Sequence, residues 1–291
     1  MSTTASSGRF VSWTGGCLFV GESVAVIPEH AHYAIQIAFG LRRGIRFQTN
    51  DVWKEYGGAI IPSRQPHAMD STCVGIGAVL LVEPETPQGR ALANRYLQRG
   101  IADMPEDILA DYAPSIFEAC GALDSTAALQ ETGQRLLRAL TIDVERALIV
   151  DERISRAIAF INANLNVSLT LESVAGEACL SPSRFRHVFV EATGMALRPY
   201  ILWRRFVCIW ELLSAGATLS TAAHAAGFAD AAHLTRTSRS MFGFPPSALQ
   251  IVRPNPSQFI PLAHAIARTA RMPRLRIEPS HTAPSSMSRV G

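Results

Sequence analysis

The chain has 291 residues, of which 48% are hydrophobic and 18% are charged, and its formal net charge at pH 7 is +3. These values are typical of a folded protein with room for two domains, and they exclude a largely disordered chain. The longest apolar run, Val74–Val82, is far too short to cross a bilayer, so we expect no membrane segment. Five scattered cysteines without a CxxC pair, and an opening segment without an apolar stretch, favour a reducing cytoplasm.

The two halves of the chain differ in charge. Residues 1–150 carry 12 basic and 16 acidic side chains, a balance of −4, whereas residues 151–291 carry 15 and 8, a balance of +7. Six of the latter arginines lie after residue 252, in a segment rich in Pro and Ser that we expect to be a disordered basic tail. The two halves of the chain are therefore expected to have different functions.

Short β-forming runs follow one another from Cys17 to Val82, separated by Gly, Pro and Asn-Asp turns. They predict a small antiparallel barrel or sandwich. The runs are LFVGESVAVI, YAIQIAFG, GIRFQTN, WKEYGGAIIP and CVGIGAVLLV.

Three histidines lie within this region. His30 and His32 are two apart in one predicted strand, so both point to one face, and His67 follows Pro62 in a segment that forms a neighbouring strand or turn. This pattern resembles the cupin barrel, in which an HxH pair and a later histidine hold a metal ion. Three histidines are sufficient in principle for zinc or iron.

The cupin resemblance is partial. Gln36 or Ile37 stands where that family has a carboxylate, and Arg64 replaces the glycine before the last histidine. We therefore assign no metal and no cofactor, and interpret the domain as a sensor whose aromatic and arginine side chains (Phe39, Arg43, Phe47, Trp53, Tyr56, Arg64) suit a small, anionic effector. The predicted effector-binding residues are His30, His32, Gln36, Arg43, Trp53, Arg64 and His67.

After Pro87 the periodicity becomes helical, in GRALANRYLQRG, PEDILADYAPSIFEACGAL and STAALQETGQRLLRALTIDVERAL. In the last of these, Leu129, Leu136, Leu137 and Leu140 form one stripe, which is either internal packing, the default, or a dimer seam. A further helix is predicted over Glu152–Asn164.

A weak internal duplication at an offset of 48 to 49 residues follows. Each copy predicts a short helix, a tight turn, and a second helix opened by an N-capping residue, which is the layout of a helix-turn-helix. Ala196–Ser214, between the copies, is predicted as one helix about 28 Å long, so the second helices would meet successive major grooves of B-DNA, whose turn is roughly 34 Å. The first copy is Leu171, Val174, Ala175, Ser181, Phe185, Phe189, Gly194, and the second is Leu219, Ala222, Ala223, Asp230, Leu234, Ser238, Gly243.

The segments LTLESVAGEACLSPSRFRHVFVEATGMALRPYI and LSTAAHAAGFADAAHLTRTSRSMFGFPPSAL resemble the AraC family of bacterial transcription regulators. The resemblance implies recognition helices over Pro182–Ala192 and Asp230–Met241. It implies base-facing Ser183, Arg186 and His187 in the first and Ala232, Thr235 and Arg236 in the second, a phosphate contact from Arg239, and a bracing role for Arg205. The full set of candidate DNA-binding residues is Ser183, Arg184, Arg186, His187, Arg205, Ala232, His233, Thr235, Arg236 and Arg239.

The second copy departs from the family pattern. Ala222, Leu234 and Ser238 stand where large apolar residues are usual, and the buried hydroxyl of Ser238 must find a backbone partner. We therefore expect the first unit to carry more specificity. The outer side of the connecting helix is apolar, with Leu202, Trp203 and Trp210. It is expected to contact the N-terminal domain or another protein, and ordinary packing within its own domain is an equal alternative.

The predicted fold class is α+β: an N-terminal cupin-like antiparallel β-barrel with following helices, and an all-α C-terminal domain of two helix-turn-helix units joined by a linker helix. The predicted boundaries are 1–122 (sensor), 123–150 (helical linker or dimerisation segment), 151–252 (DNA-binding) and 253–291 (tail). The predicted function is sequence-specific regulation of transcription on double-stranded DNA, with no catalytic residue. A small-molecule effector, a contact with RNA polymerase and a homodimer stay open. The alternative is a cupin-type metal-dependent enzyme with an appended DNA-binding module.

Overall fold

A computed structural model describes residues 6–251 apart from 24, 42, 122–125 and 142–150, and the predicted tail lies outside these residues. The described part forms eleven strands and nine α-helices. The strands are β1 (Ser6–Trp13), β2 (Gly16–Ser23), β3 (Val26–His30), β4 (Ile35–Gly40), β5 (Ile45–Thr49), β6 (Val52–Tyr56), β7 (Gly58–Ile61), β8 (His67–Asp70), β9 (Gly75–Val82), β10 (Ala102–Asp103) and β11 (Leu249–Ile251). The helices are α1 (Pro87–Tyr96), α2 (Glu106–Gly121), α3 (Thr126–Leu140), α4 (Glu152–Ala163), α5 (Leu171–Glu177), α6 (Pro182–Thr193), α7 (Leu197–Ser214), α8 (Leu219–Ala225) and α9 (Ala231–Phe242).

The strands form two sheets, with the orders β10-β7-β4-β9-β2-β1-β11 and β3-β8-β5-β6. Every pairing is antiparallel except that of β1 with β11, and the mixed α+β class is confirmed. Asn50 and Asp51, at φ 50° and 61°, make the hairpin turn between β5 and β6 that the Asn-Asp pair predicts. Two predicted runs each divide into two strands, and β1, β10 and β11 were not predicted.

Helices α2 and α3 cover the larger sheet. Leu136 and Leu140 are fully buried in the same apolar cluster as Leu18 and Phe117. A Cβ added to Gly133 would lie 2.9 Å from Leu18 Cδ2, so the glycine allows α3 to approach the sheet closely. The leucine stripe is therefore internal packing, as the default interpretation held.

The C-terminal domain contains two helix-turn-helix units, α5–α6 and α8–α9, joined by α7. The Ser181 hydroxyl accepts the backbone N–H of Arg184, and the Asp230 carboxylate accepts that of His233, so both second helices carry the expected N-caps. Gly194 and Gly243 end these helices in the left-handed conformation, with φ of 72° and 76°. The predicted duplication and its helix bounds are confirmed to within two residues.

The two domains share one apolar core. Trp203 and Trp210 of α7 are 1% and 5% exposed, and the ring centroids of Trp210 and Phe10 are 6.0 Å apart. Strand β11, after the second unit, pairs in parallel with β1 over Ser6–Gly8. The apolar side of the connecting helix therefore meets the N-terminal domain. Among the described residues, no helix is both long and apolar enough to span a bilayer.

Candidate nucleic-acid interface and interdomain cavity

Helix α6 presents a polar outer face. Ser183, Arg186 and His187, at i, i+3 and i+4, are all exposed, while Phe185 and Phe189 are buried on the opposite side. Arg184 is exposed as well, and neither it nor Arg186 takes part in an ion pair within the described part of the chain. These side chains are free to contact a ligand.

Helix α9 offers a smaller polar face. Arg236, Arg239 and Ala232 are exposed. The Thr235 hydroxyl donates to the Ala231 carbonyl at 2.7 Å, which turns it back onto the helix. His233 is half-buried, with its ring centroid 5.4 Å from that of Phe228, so it packs in the turn of the unit as well as reaching its surface.

Arg205 of α7 contacts the backbone of the segment before the first unit and the backbone of the turn in the second. Its guanidinium donates to the carbonyls of Leu165 at 3.1 Å, Val167 at 3.2 Å and Gly227 at 2.8 Å. These bonds occupy the guanidinium inside the protein. They agree with a bracing role, and we remove Arg205 from the candidate DNA-binding set.

Ser238 lies at a core position of the second unit, and its hydroxyl has a hydrogen-bond partner. The residue is 2% exposed, and Oγ donates to the Phe244 carbonyl at 2.8 Å. The expected backbone partner is therefore present, and it ties α9 to the segment that follows it.

A cavity of about 110 Å³ lies between the N-terminal strands and helices α7 and α9. Its polar groups are His30, His32 and Gln36, and the remaining walls are apolar apart from a cysteine thiol. The lining residues are Phe10, Cys17, Phe19, Ile27, His30, His32, Gln36, Met69, Val79, Leu81, Trp210, Phe242 and Phe244.

Most of the predicted aromatic and arginine residues lie away from this cavity. Arg43 and Arg64 are exposed, and Trp53 lies on β6 under the Arg46 guanidinium, 5.3 Å from its ring centroid. None of these three lines the cavity. The predicted aromatic residues Phe39, Phe47 and Tyr56 are buried in the apolar cores of the N-terminal domain. The sequence did not predict the part of the cavity wall that the C-terminal domain forms. Its residues, Trp210, Phe242 and Phe244, are far along the chain from the N-terminal strands.

The three histidines converge, although not all from strands. His30 ends β3 and is directly paired with His67 of β8, whereas His32 lies beyond the end of β3, which corrects the prediction that one strand holds both. Ring centroids are 4.4 Å apart for His30 and His67, 5.3 Å for His32 and His67, and 5.6 Å for His30 and His32. All three residues are buried.

These histidines are neutral at pH 7. Burial lowers the pKa of His32 to about 4 and that of His67 to about 3, and neighbouring imidazoles lower both further. Burial also lowers the pKa of His30. Each imidazole therefore carries one proton and offers one nitrogen lone pair.

A polar cluster joins the end of the first unit to the N-terminal domain. The Tyr33 hydroxyl lies 2.7 Å from Glu85 Oε2 and 2.8 Å from the Thr193 carbonyl at the end of α6. Burial and the Glu83 carboxylate raise the pKa of Glu85 to about 7. Because the Tyr33 hydroxyl has one proton for two acceptors, a protonated Glu85 that donates to Tyr33 satisfies both contacts.

Glu83 makes the charged contact of the same interface. It forms a buried ion pair with Arg204 of α7 and accepts the Trp203 indole N–H at 3.2 Å. A buried pair of this kind is costly to break, since either charge alone would be left without a partner.

Comparisons with known proteins agree with this architecture. Residues 174–250 match the family model described as a helix-turn-helix domain. A crystal structure of apo ToxT from Vibrio cholerae strain SCE256 matches with a TM-score of 0.53 and 12% identity over 81% of this chain and 97% of ToxT. ToxT from Vibrio cholerae O395 matches with a TM-score of 0.52 and 14% identity, over 82% and 96%. No curated protein sequence matches significantly.

The family match and the two capped units show that residues 174–250 form a helix-turn-helix domain. The fold of the chain is similar to that of ToxT.

Proposed function

We propose that the chain is a DNA-binding transcription regulator of the AraC type, and that it reads two successive major grooves of its operator, one with α6 and one with α9. The observation that carries the proposal is the presence of two capped helices, each with an exposed polar face, at the two ends of the 18-residue helix α7. At about 1.5 Å per residue, α7 is roughly 27 Å long, close to the ~34 Å repeat of B-DNA.

The first unit supplies most of the base contacts in this proposal. Arg186 donates a fork to guanine O6 and N7, and Ser183 and His187 on the same face donate to bases or phosphates. In the second unit, Arg236 takes the corresponding guanine, the Thr235 methyl meets a thymine methyl, and Arg239 contacts phosphate. Arg184 is a phosphate contact beside the first face.

The experiment is selection of bound DNA sequences by the purified full chain, followed by footprinting of the selected sites and of the DNA upstream of its own gene. Two protected half-sites about one helical turn apart are expected at low salt. A single protected half-site would contradict reading by two units, and no protection at any salt concentration would contradict specific DNA binding.

We propose in addition that a small, largely apolar effector binds the interdomain cavity. The cavity walls are mostly apolar, with polar groups from His30, His32 and Gln36 alone. None of the described residues that line the cavity is an arginine, which argues against the anionic effector that the sequence suggested. Because Trp210, Phe242 and Phe244 belong to the DNA-binding domain, an occupant would contact both domains at once.

Titration with indole and with octanol, each apolar with one hydrogen-bonding group, tests this site. Saturable change in tryptophan emission is expected, since Trp210 lines the cavity. Val79→Phe fills the cavity from the sheet side and should abolish the change, whereas Val190→Phe on the exposed face of α6 should not. An equal response in all three proteins would place the binding elsewhere.

A further inference from the structure

The cluster of His30, His32 and His67 has the composition and convergence of a metal site. One ring nitrogen of each lies within 4.8 Å of the other two, and all three residues are buried. We propose that these imidazoles bind one divalent transition-metal ion of the zinc class, and that the ion stabilises the docked position of the second helix-turn-helix unit. Their pattern in the sequence was set aside for want of a carboxylate, so the proposal is based on the geometry.

Hydrogen bonds fix which nitrogen each ring presents. In every case Nδ1 lies against a backbone carbonyl oxygen two residues away, and because such an oxygen only accepts, Nδ1 carries the proton and Nε2 keeps the lone pair. Metal-binding histidines are oriented in this way by the groups behind them. The contacts are His30 to Pro28 at 2.9 Å, His32 to Ala34 at 3.0 Å and His67 to Gln65 at 2.8 Å.

The Nε2 atom of His67 gives the most direct support for a cation at this cluster. His67 is 0% exposed, and its Nε2 is buried with no hydrogen-bond partner among the described residues. A buried lone pair without a donor costs free energy and calls for an explanation. A metal ion between the three rings provides one.

His32 also has a ring nitrogen whose lone pair lacks a hydrogen-bond donor. Nδ1 lies 3.0 Å from the Ala34 carbonyl oxygen and Nε2 lies 2.7 Å from Gln36 Oε1, yet a neutral imidazole has one proton for these two acceptors. One contact is therefore between two lone pairs, unless the Gln36 amide is turned over. A cation beside Nε2 and Oε1 satisfies both atoms, and gives the amide oxygen of Gln36 the role of a fourth ligand.

The rings need to move little to hold an ion. With zinc–nitrogen distances of about 2.0–2.1 Å, tetrahedral ligand nitrogens lie roughly 3.4 Å apart, so the longest separation must close by at most ~1.4 Å. His30 and His67 face each other across paired strands, and the Arg64 N–H donates to the His32 carbonyl at 2.8 Å, which holds the third ring beside them. Imidazole ligands suit Zn²⁺, Fe²⁺, Co²⁺, Ni²⁺ and Cu²⁺, whereas Mg²⁺ and Ca²⁺ prefer oxygen.

The site lies directly against the second unit. The Phe242 ring, at the end of α9, stacks on His32 with centroids 6.2 Å apart and an interplanar angle of 26°. Beside it, a Cβ on Gly243 would lie 3.0 Å from the Pro28 carbonyl oxygen, so the backbone of the second unit approaches β3 closely. An ion that fixes His32 therefore fixes the surface on which Phe242 rests.

The first test measures binding by the untagged full chain, with Zn²⁺ and the spectroscopic probe Co²⁺. After dialysis we expect one ion per chain, and visible ligand-field absorption with Co²⁺. His67→Asn and His30→Gln should each lower the affinity at least 10-fold, the effect reported for groups around metal ligands, while His224→Ala, an exposed histidine on α8, should not. Circular dichroism checks that the variants fold. Two ligand variants are used so that the test still stands if one of them does not fold.

The second test measures coupling to the second unit. Zn²⁺ should raise the thermal midpoint of the wild type and His224→Ala but not of His67→Asn, and Phe242→Ala should lower zinc affinity, since coupling is reciprocal. Binding of less than one ion per chain, or binding unchanged in both ligand variants, would overturn the metal site. Unchanged zinc affinity in Phe242→Ala would overturn the coupling alone. Neither result depends on operator binding, which is measured separately by footprinting.

Discussion

The two helix-turn-helix units are attached to the N-terminal domain in different ways. The first is held by polar contacts at the C-terminal end of α6. There the Tyr33 hydroxyl lies within hydrogen-bond distance of the Thr193 carbonyl, and the Arg90 guanidinium donates to the Ala192 carbonyl. The second is held by apolar packing, with Phe242 over the cavity, and by β11. We therefore expect a ligand in the cavity to act on the second unit, and protonation of Glu85 to act on the anchor of the first.

Truncation of Phe242 should produce the largest effect. Its ring centroid is 5.0 Å from that of Trp210 and 5.1 Å from that of Phe206, so Phe242→Ala should lower the free energy of unfolding by about 3–5 kcal/mol. Phe189→Ala is the matched change in the first unit, with a ring 1% exposed. Urea unfolding measures both losses. Footprinting should then show that Phe242→Ala loses one half-site and Phe189→Ala the other; loss of the same half-site in both would refute the separation of the units.

A pH change should loosen the anchor of the first unit. The pKa of Glu85 is raised from 4.5 to about 7 in the folded protein, so its contribution to stability is complete below pH 4.5 and is lost as the pH rises through 7. The free energy of unfolding, measured in urea, should therefore be about 1–3 kcal/mol lower at pH 8 than at pH 5.5. Glu85→Gln, which imitates the protonated acid, should remove that difference, and Glu118→Gln, at an exposed site on α2, should retain it. Equal pH dependence in the two variants would contradict the role of Glu85.

Arg186→Ala tests the assignment of specificity to the first unit. We expect it to weaken operator binding by about 1–3 kcal/mol and to relax base preference at one position of one half-site. Arg184→Ala is the control on the same helix and should weaken binding to all sequences alike, with a shallower salt dependence. Competition binding with a set of singly substituted operators measures both. If Arg186→Ala changed affinity without changing base preference, Arg186 would be a phosphate contact.

Ser238→Ala tests the core of the second unit on a smaller scale. Loss of the bond from Oγ to the Phe244 carbonyl should cost about 1 kcal/mol in the free energy of unfolding. Ser240→Ala, exposed on the same helix, should stay within about 0.5 kcal/mol of the wild type. A loss no larger than that of the control would mean that the hydroxyl bond contributes nothing to stability.

Ala232→Asn should have the smallest effect. Position 232 is exposed at the start of α9, so the change should alter operator affinity by less than about 0.5 kcal/mol, or strengthen it where the amide meets an adenine. Electrophoretic mobility shift measures the affinity. A loss above 1 kcal/mol would show that α9 approaches the groove more closely than the proposal requires.

The sequence predicted the DNA-binding domain well because its signals are local. Ser181 and Asp230 cap their helices, Pro182 fits the first turn, and Gly194 and Gly243 adopt positive φ, all of which depend on a few neighbouring residues. The bracing contacts of Arg205 were anticipated from the family pattern, although their three carbonyl partners were not.

The site between the domains was predicted less well because its parts are distant in the chain. The convergence of His30 and His67 follows from a strand pairing that periodicity does not specify, and His32 lies outside the predicted strand. Trp210 and Phe242, which close the cavity, follow His30 and His32 by more than 170 residues along the chain. Arg43 and Arg64 were placed in the pocket for their chemistry, yet both side chains are exposed.

The pairing of β1 with β11 has a consequence for biosynthesis. Ser6 lies opposite Leu249, so one edge of the larger sheet lacks its last strand until almost all of the described chain has left the ribosome. An open edge of this kind is a template for pairing with other chains. The N-terminal domain produced alone should therefore self-associate more readily than the full chain, and the larger sheet is complete only when the C-terminal half has been synthesised.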